Sequence, residues 1–237
     1  MRKSIWLVLS LLFLSACTTK IATNIENARE TIIPLPSKIL ESGLPSKHQI
    51  KTAFIPQSPE KNWDQPWQDS CEEASILTLK HYYSADNPST ETLLAEYQQI
   101  FSYEAQNNWT HDINLQKMAQ LSTDLFQLKP AIIDSPSTDD LKKYISKNIP
   151  VIVTANGKTL YQENKHFKSG GPLYHSLVIL GFDDDIGKFI VHDVGTQFGA
   201  YFQYSYSLLM ESIHDLPSNG DKNNIEQGDK KILILVK

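Results

Sequence analysis

The chain contains little cysteine, little charge of one sign and few long apolar runs. Only two of its 237 residues are cysteine, and the formal net charge is −5. No basic block is present, so the electrostatic footprint of a nucleic-acid-binding protein is missing. No internal repeat or low-complexity tract is found. Hydrophobic residues make up 41% of the chain, which is typical of an ordinary globular protein.

The one strongly apolar run lies at the start of the chain. Arg2 and Lys3 precede an apolar stretch from Ile5 to Leu14, which is typical of a secretion signal and too short to span a bilayer comfortably. It ends in Leu14-Ser15-Ala16-Cys17, which resembles a bacterial lipobox. That resemblance implies cleavage before Cys17 and its lipidation, the alternative being an ordinary signal peptide with an incidental cysteine.

Three regions follow from this interpretation. Residues 1–16 are the expected signal peptide, and residues 17–50 are the expected lipidated amino terminus and tether. Residues 51–237 are the expected domain, since about 220 residues after the signal suffice for one core and a tether. Thr18 stands where retention in the inner membrane would favour Asp, so we expect a lipid-anchored envelope protein on the outer membrane, facing the periplasm.

If Cys17 carries lipid, Cys71 has no partner within the chain. Exported proteins usually pair their cysteines, so a lone thiol needs an explanation. Cys71 is either an inert core residue or a nucleophile. Ser70 and Glu73 resemble a capping box, which would make Cys71 the first residue of a helix, where free N–H groups favour a thiolate.

Partners for a reactive thiol are found on two predicted strands. His175 lies near the start of the strand 174–182, and Asp193 ends the strand 188–193. A hairpin turn at 183–187 would bring the two close, so that Asp193 could orient the imidazole. Gln65 could donate its amide to a developing oxyanion, with Gln68 as a rival. His175 as an ordinary strand residue stays an alternative.

Other polar and aromatic residues carry weaker expectations. His192 is expected to be structural or on the surface, and His81 to be exposed. His111, Asp112 and His166 match no zinc spacing, so no metal or other cofactor is expected. Trp63, Trp67 and Trp109 could line a cleft, although core packing is the more common use.

Fold class follows from the order of the predicted elements. Helices are predicted at 71–83, 90–101, 114–125 and 138–147, and strands at 150–155, 174–182, 188–193 and 231–236. A helical lobe packed on an antiparallel sheet is an α+β arrangement.

The pattern around Gln65, Cys71, His175 and Asp193 resembles the papain-like superfamily. It is most similar to the bacteriocin-processing (double-glycine leader) cysteine peptidases and their stand-alone exported relatives. The resemblance implies a nucleophile at Cys71, a general base at His175, an orienting Asp193 and an oxyanion donor at Gln65. Glu72 departs from the glycine usual after the nucleophile and agrees with the relatives, and a carboxylate there would oppose ionisation of the thiol.

The expected activity is hydrolysis of a peptide or amide bond in an envelope peptide or protein, through a thioester. An acyltransferase using the same thiol and a non-catalytic binding module on this fold stay as alternatives. The membrane is expected as a partner through the lipid on Cys17. Substrate identity and oligomeric state do not follow from the sequence.

Overall fold

The computed structural model describes residues 43–237. Cys17, the signal peptide and most of the expected tether lie outside the described residues. None of the helices in the described part combines the length and the apolarity needed to cross a bilayer.

The domain consists of helices packed around one antiparallel sheet. The helices are α1 (Cys71–Ser84), α2 (Thr90–Gln106), α3 (Leu115–Phe126), α4 (Thr138–Ser146), α5 (Gly157–Leu160) and α6 (Tyr206–Ser212). The strands are β1 (Lys47–Gln49), β2 (Lys129–Asp134), β3 (Val151–Ala155), β4 (His175–Asp183), β5 (Lys188–His192), β6 (Phe202–Ser205) and β7 (Lys231–Val236). This confirms the α+β class.

The sheet order is β2-β7-β3-β4-β5-β6, and β1 pairs with the far end of β4. All pairings are antiparallel. β4 is central, since β3 pairs with its first half and β5 with its second half. Its residues are buried from His175 to Phe182, as expected for a strand covered on both faces.

The tether ends earlier than the sequence analysis expected. Lys47 pairs with Asp183 and Gln49 with Gly181, so β1 belongs to the sheet although it falls within the expected tether of residues 17–50. Ile50 is also buried in the core. The three polar residues of β1 gave no apolar alternation, which is why the strand was not predicted.

Helix α1 lies in the interior and carries the first site residue. Ala74, Ile76 and Leu77 have no exposed surface, and the helix packs against β4 and α3. Two of its buried hydroxyl groups are satisfied within the helix, because Ser75 and Thr78 each donate to the carbonyl four residues earlier. At its start, Ser176 Oγ in β4 donates to Ser75 Oγ at 2.9 Å. This contact fixes the first turn of α1 beside the start of β4.

Candidate active site

Cys71 is the first residue of α1, as predicted, but the helix is not opened by a capping box. Ser70 makes no side-chain cap, and its Oγ donates to the carbonyl of Pro66 at 2.8 Å. A 3-10 turn at 67–69 leads directly into the helix, so the Ser70 side chain faces backwards into that turn. Glu73 is buried instead of reaching back to the cap position. The capping-box prediction was therefore wrong in its chemistry, although the helix start was right.

The thiol of Cys71 has two polar neighbours. Sγ lies 2.9 Å from Glu72 Oε2, and the backbone N–H of Ser176 donates to Sγ at 3.2 Å. Burial, followed by the charge of Glu72, raises the pKa of the thiol well above its ordinary value. The expected thiolate-favouring effect of the helix start is thus opposed by stronger influences, including the Glu72 carboxylate that the sequence analysis flagged.

His175 opens β4 and is almost fully buried. Its Nε2 lies 2.9 Å from Asp193 Oδ1, which leaves Nδ1 as the ring nitrogen free to serve a thiol. The ring packs edge-on against Phe167, with centroids 5.2 Å apart. Gly195 sits so close that a Cβ there would lie 2.6 Å from His175 Cε1. The imidazole is held on several sides.

Asp193 has no exposed surface and accepts from several donors. Tyr204 donates to it at 2.5 Å and Asn164 Nδ2 at 2.9 Å. Burial alone would raise the pKa of this carboxyl, but the charge and hydrogen bond of His175, with the bonds from Tyr204 and Asn164, hold it below its ordinary value. An ionised Asp193 fixes the orientation of the imidazole.

The predicted hairpin of β4 and β5 is present, but its register differs from the one that would place His175 opposite Asp193. Val178 pairs with His192 and a bulge interrupts β4 between Ile179 and Gly181, so residue 193 is not directly opposite residue 175. Asp193 instead follows the end of β5, where its N–H donates to the carbonyl of Gly199. The His175–Asp193 contact therefore forms between residues that are not direct partners in the strand pairing.

Cys71 and His175 both line one cavity of about 530 Å³. Its wall also carries the carboxylates Asp69 and Asp112. The aromatic side chains Trp63 and Phe198 also line it, with Trp63 36% and Phe198 67% exposed. His166 stacks on Phe198 with centroids 4.5 Å apart. The cavity is therefore large enough for several substrate atoms and open at an aromatic side.

The structure does not bring Gln65 into this cavity. Its side chain is exposed and its amide donates to Asp69 Oδ2 at 2.7 Å, across one turn of the loop. Gln68 does line the cavity. So does Gln57, a buried residue whose Nε2 donates to the carbonyls of Trp67 and Gln68 at 2.8 and 2.7 Å. The placement of Gln65 is corrected, since closeness in sequence did not give closeness to the thiol.

Gln57 and the two residues that bind Asp193 were not predicted from the sequence. Asn164 and Tyr204 lie 29 and 11 residues from Asp193, with no motif connecting them. Gln57 lies 14 positions before Cys71, and the loop between them has no pattern that indicates that the two residues line one cavity. The positions of tryptophan and histidine in the sequence do not indicate these residues either.

Histidines outside the site are more buried than expected. His81 has 1% exposure and contacts Asp86 Oδ1 at 2.5 Å and Glu96 Oε2 at 2.7 Å, so the expectation of an exposed side chain was wrong. His192 has no exposed surface and packs between Phe54 and Tyr201, which makes it structural and excludes the surface placement.

The remaining candidates separate by location. Of the three tryptophans, Trp63 lines the cavity, whereas Trp67 and Trp109 pack against the core. Within residues 43–237, no group of three or more His, Cys, Asp and Glu side chains is arranged to hold a metal ion. His111 faces Phe101 and His166 faces Phe198.

An α+β fold with a cysteine at the start of a buried helix and a histidine–aspartate pair at a neighbouring strand start defines the papain-like class. The sequence profile of the Peptidase_C39 like family matches residues 50–213, so the chain belongs to that family and contains a cysteine peptidase-like domain. This confirms the family resemblance drawn from the motifs.

Comparison with other proteins adds only distant matches. No curated protein sequence matches the chain. Among solved structures, a protein described as a C39-like peptidase from Bacillus anthracis shares 16% identity and a TM-score of 0.31. The match covers 53% of this chain and 60% of the Bacillus chain.

Proposed function

We propose that this chain is a cysteine peptidase that cleaves a peptide or amide bond through a thioester on Cys71. The observation that carries the proposal is the His175–Asp193 contact of 2.9 Å in the wall of the cavity that also contains the thiol. A nucleophile, a base and a group that orients the base are the three parts that acyl transfer requires.

Each part has a defined task in the proposed reaction. His175 takes the thiol proton through Nδ1 while Asp193 holds Nε2, and the sulfur attacks the carbonyl carbon. His175 then gives that proton to the leaving amine, which departs as the thioester forms. Water attacks the thioester, His175 takes its proton, and the acid product leaves as the thiol is restored.

The oxyanion that forms in this reaction needs N–H donors. The backbone N–H of Cys71 lies at the free amino end of α1, where intrahelical partners are lacking. Gln57 is the buried glutamine of the cavity wall, and its amide is held by two loop carbonyls, one of which it would exchange for the oxyanion. We therefore propose Cys71 N–H and Gln57 as the donors, in place of Gln65.

The proposed substrate is a peptide or protein of the cell envelope, and the proposed setting is a lipid anchor at Cys17. The lipobox-like sequence at 14–17 supports the anchor. Cys17→Ser should abolish incorporation of an alkyne fatty acid and release the protein from the membrane fraction. Retained incorporation in that variant would contradict the anchor, and Cys71→Ser is the matched control.

Peptidase activity is tested with the full chain, a peptide library and mass spectrometry of the products. Cys71→Ala and His175→Ala should each lower kcat/KM by at least about 10³-fold, because removing one triad member leaves only the other stabilising contacts. Thermal midpoints should stay close to that of the parent. Full cleavage by Cys71→Ala would overturn the proposal, and amide products formed with added amines would favour acyl transfer to amines.

A further inference from the structure

Glu72 has no task in the proposed reaction, yet one of its carboxyl oxygens contacts the nucleophile. It is the second residue of α1 and has no exposed surface. Oε1 accepts the backbone N–H of Ile113 at 3.0 Å, and Oε2 lies 2.9 Å from Cys71 Sγ. The carboxyl is therefore fixed between the loop that precedes α3 and the nucleophile.

The direction of the thiol proton follows from these contacts. A thiol carries one proton, and Glu72 Oε2 is an acceptor at hydrogen-bonding distance from the sulfur. The other polar neighbour recorded for Sγ is the Ser176 N–H, which is a donor and cannot receive the proton. In this arrangement the thiol of Cys71 donates to Glu72 Oε2.

We propose that Glu72 is a second proton-binding partner of the nucleophile, whose carboxyl group accepts the hydrogen bond of the Cys71 thiol and, once ionised, opposes loss of the thiol proton. This inference rests on the proposed function, since it concerns the same thiol. Glu72 would act by charge and by hydrogen bonding on the sulfur, while His175 remains the base of the reaction.

Lys222 is a cation that acts on Glu72, but other carboxylates share it. Lys222 is bound to Asp112 at 2.7 Å and lies 3.6 Å from Asp69, so its positive charge is shared by two other carboxylates. Burial raises the pKa of Glu72 well above its ordinary value, and Asp112 adds to this effect. The titratable and charged groups around Cys71 and Glu72 are Asp69, Glu73, Tyr97, Asp112, Tyr174, His175, Asp215 and Lys222.

The test measures thiol ionisation without requiring turnover. The rate of iodoacetamide alkylation at Cys71 is followed from acid to alkaline pH by mass spectrometry, in the full chain and in Glu72→Gln. Glutamine keeps the shape and an acceptor oxygen but removes the charge. We expect the midpoint of the rate profile to fall by about one pH unit or more, which is about tenfold faster alkylation below the midpoint.

Glu73→Gln is the matched control, because Glu73 is an equally buried acid in the same turn that does not contact the sulfur. Its midpoint should move by less than half as much. An unchanged or higher midpoint in Glu72→Gln would overturn the proposal. If that variant does not fold, Glu72→Asp, which withdraws the carboxylate by one methylene, must also lower the midpoint, and no change there overturns it equally.

Failure of the triad is distinguished by a separate measurement. His175→Ala that retains peptidase activity would overturn the proposed function while leaving the comparison of Glu72→Gln with the parent intact. Conversely, an inactive His175→Ala together with an unmoved midpoint in Glu72→Gln would preserve the peptidase and remove Glu72 from its chemistry.

Discussion

At the scale of single residues, the site depends on how closely its neighbours approach the His175 ring. A Cβ on Gly195 would lie 2.6 Å from Cε1 and 3.3 Å from Nε2, inside contact distance. Gly195→Ala should therefore push the imidazole away from Asp193 and lower kcat/KM by about 10²-fold, the effect of a misplacement of about 1 Å. Gly43→Ala, which meets nothing within 4 Å, is the control. Equal activity of both variants would show that the ring tolerates displacement.

A second residue-scale prediction separates the two glutamines. Gln57→Ala should lower kcat by about 10²-fold, since the proposed oxyanion donor in the cavity wall would be lost. Gln65→Ala should change kcat by less than about threefold, because Gln65 is exposed, does not line the cavity, and donates its amide to Asp69. Steady-state kinetics on one peptide decide between them. A larger loss at Gln65 would restore the assignment made from sequence spacing.

Residue types and spacing were sufficient to predict the contact of His175 with Asp193, because strand pairing brings distant positions together in a regular way, whereas the catalytic role of Cys71 stays a prediction. The same reasoning failed for Gln65 and His81. Whether a loop glutamine points into a cavity, or a helix histidine meets acids from the next helix, depends on tertiary contacts that leave no periodic pattern. His81 is buried by Asp86 and Glu96, neither of which shares a motif with it.

At the scale of helices and strands, prediction followed the strength of the local pattern. α3 and α4 begin after Asn114 and Ser137, whose side chains accept from N–H groups in the first turn, and both helix starts were predicted within one residue. β2 and β6 were missed. β2 is half-buried from Pro130 to Ile133 and exposed at both ends, so it lacks the alternation of a one-sided strand. β6 is only four residues long.

Helices α1 and α2 enclose a pair of acids that makes stability depend on pH. Burial, with the facing Glu104, raises the pKa of Glu73 well above its ordinary value, and burial raises that of Glu104. An acid with a raised folded pKa stabilises most below its unfolded pKa and loses that contribution as pH rises. Glu104→Gln should therefore gain stability relative to the parent as pH rises from about 4.5 towards 8.

Urea unfolding at several pH values measures this difference. Glu60→Gln, which replaces an exposed loop acid, is the control and should follow the parent across the range. If the difference in free energy of unfolding between Glu104→Gln and the parent stays constant with pH, ionisation of the Glu73–Glu104 pair does not destabilise the fold.

Strand β5 carries the opposite dependence through His192. Burial lowers the pKa of His192 from 6.5 to about 4, so the unfolded chain gains a proton before the folded one does. Stability should fall as pH drops from 6.5 towards 4, by about 3 kcal/mol at most. His192→Leu should remove this loss when free energies of unfolding at pH 7 and pH 4.5 are compared. An equal loss of stability in His192→Leu would show that other groups cause the pH dependence.

At the scale of the whole molecule, the fold places the entry of the chain and the candidate site at opposite ends of one strand. β1 pairs with Gly181 to Asp183, whereas His175 begins β4. Nine residues at about 3.3 Å each give a strand of about 30 Å. The described chain therefore enters the sheet at the end of β4 far from His175.

The pairing of β1 also determines what a pulling force would meet first. If the proposed anchor and a bound substrate were drawn apart, tension would reach the three-residue β1 before the rest of the sheet. The first half of β4 is held independently by β3, from Ala155 opposite His175 to Val151 opposite Ile179. Peeling β1 away would lengthen the molecule while the histidine end of β4 kept its partners. Under such a force, β1 would detach from the sheet before the position of His175 at the start of β4 changed.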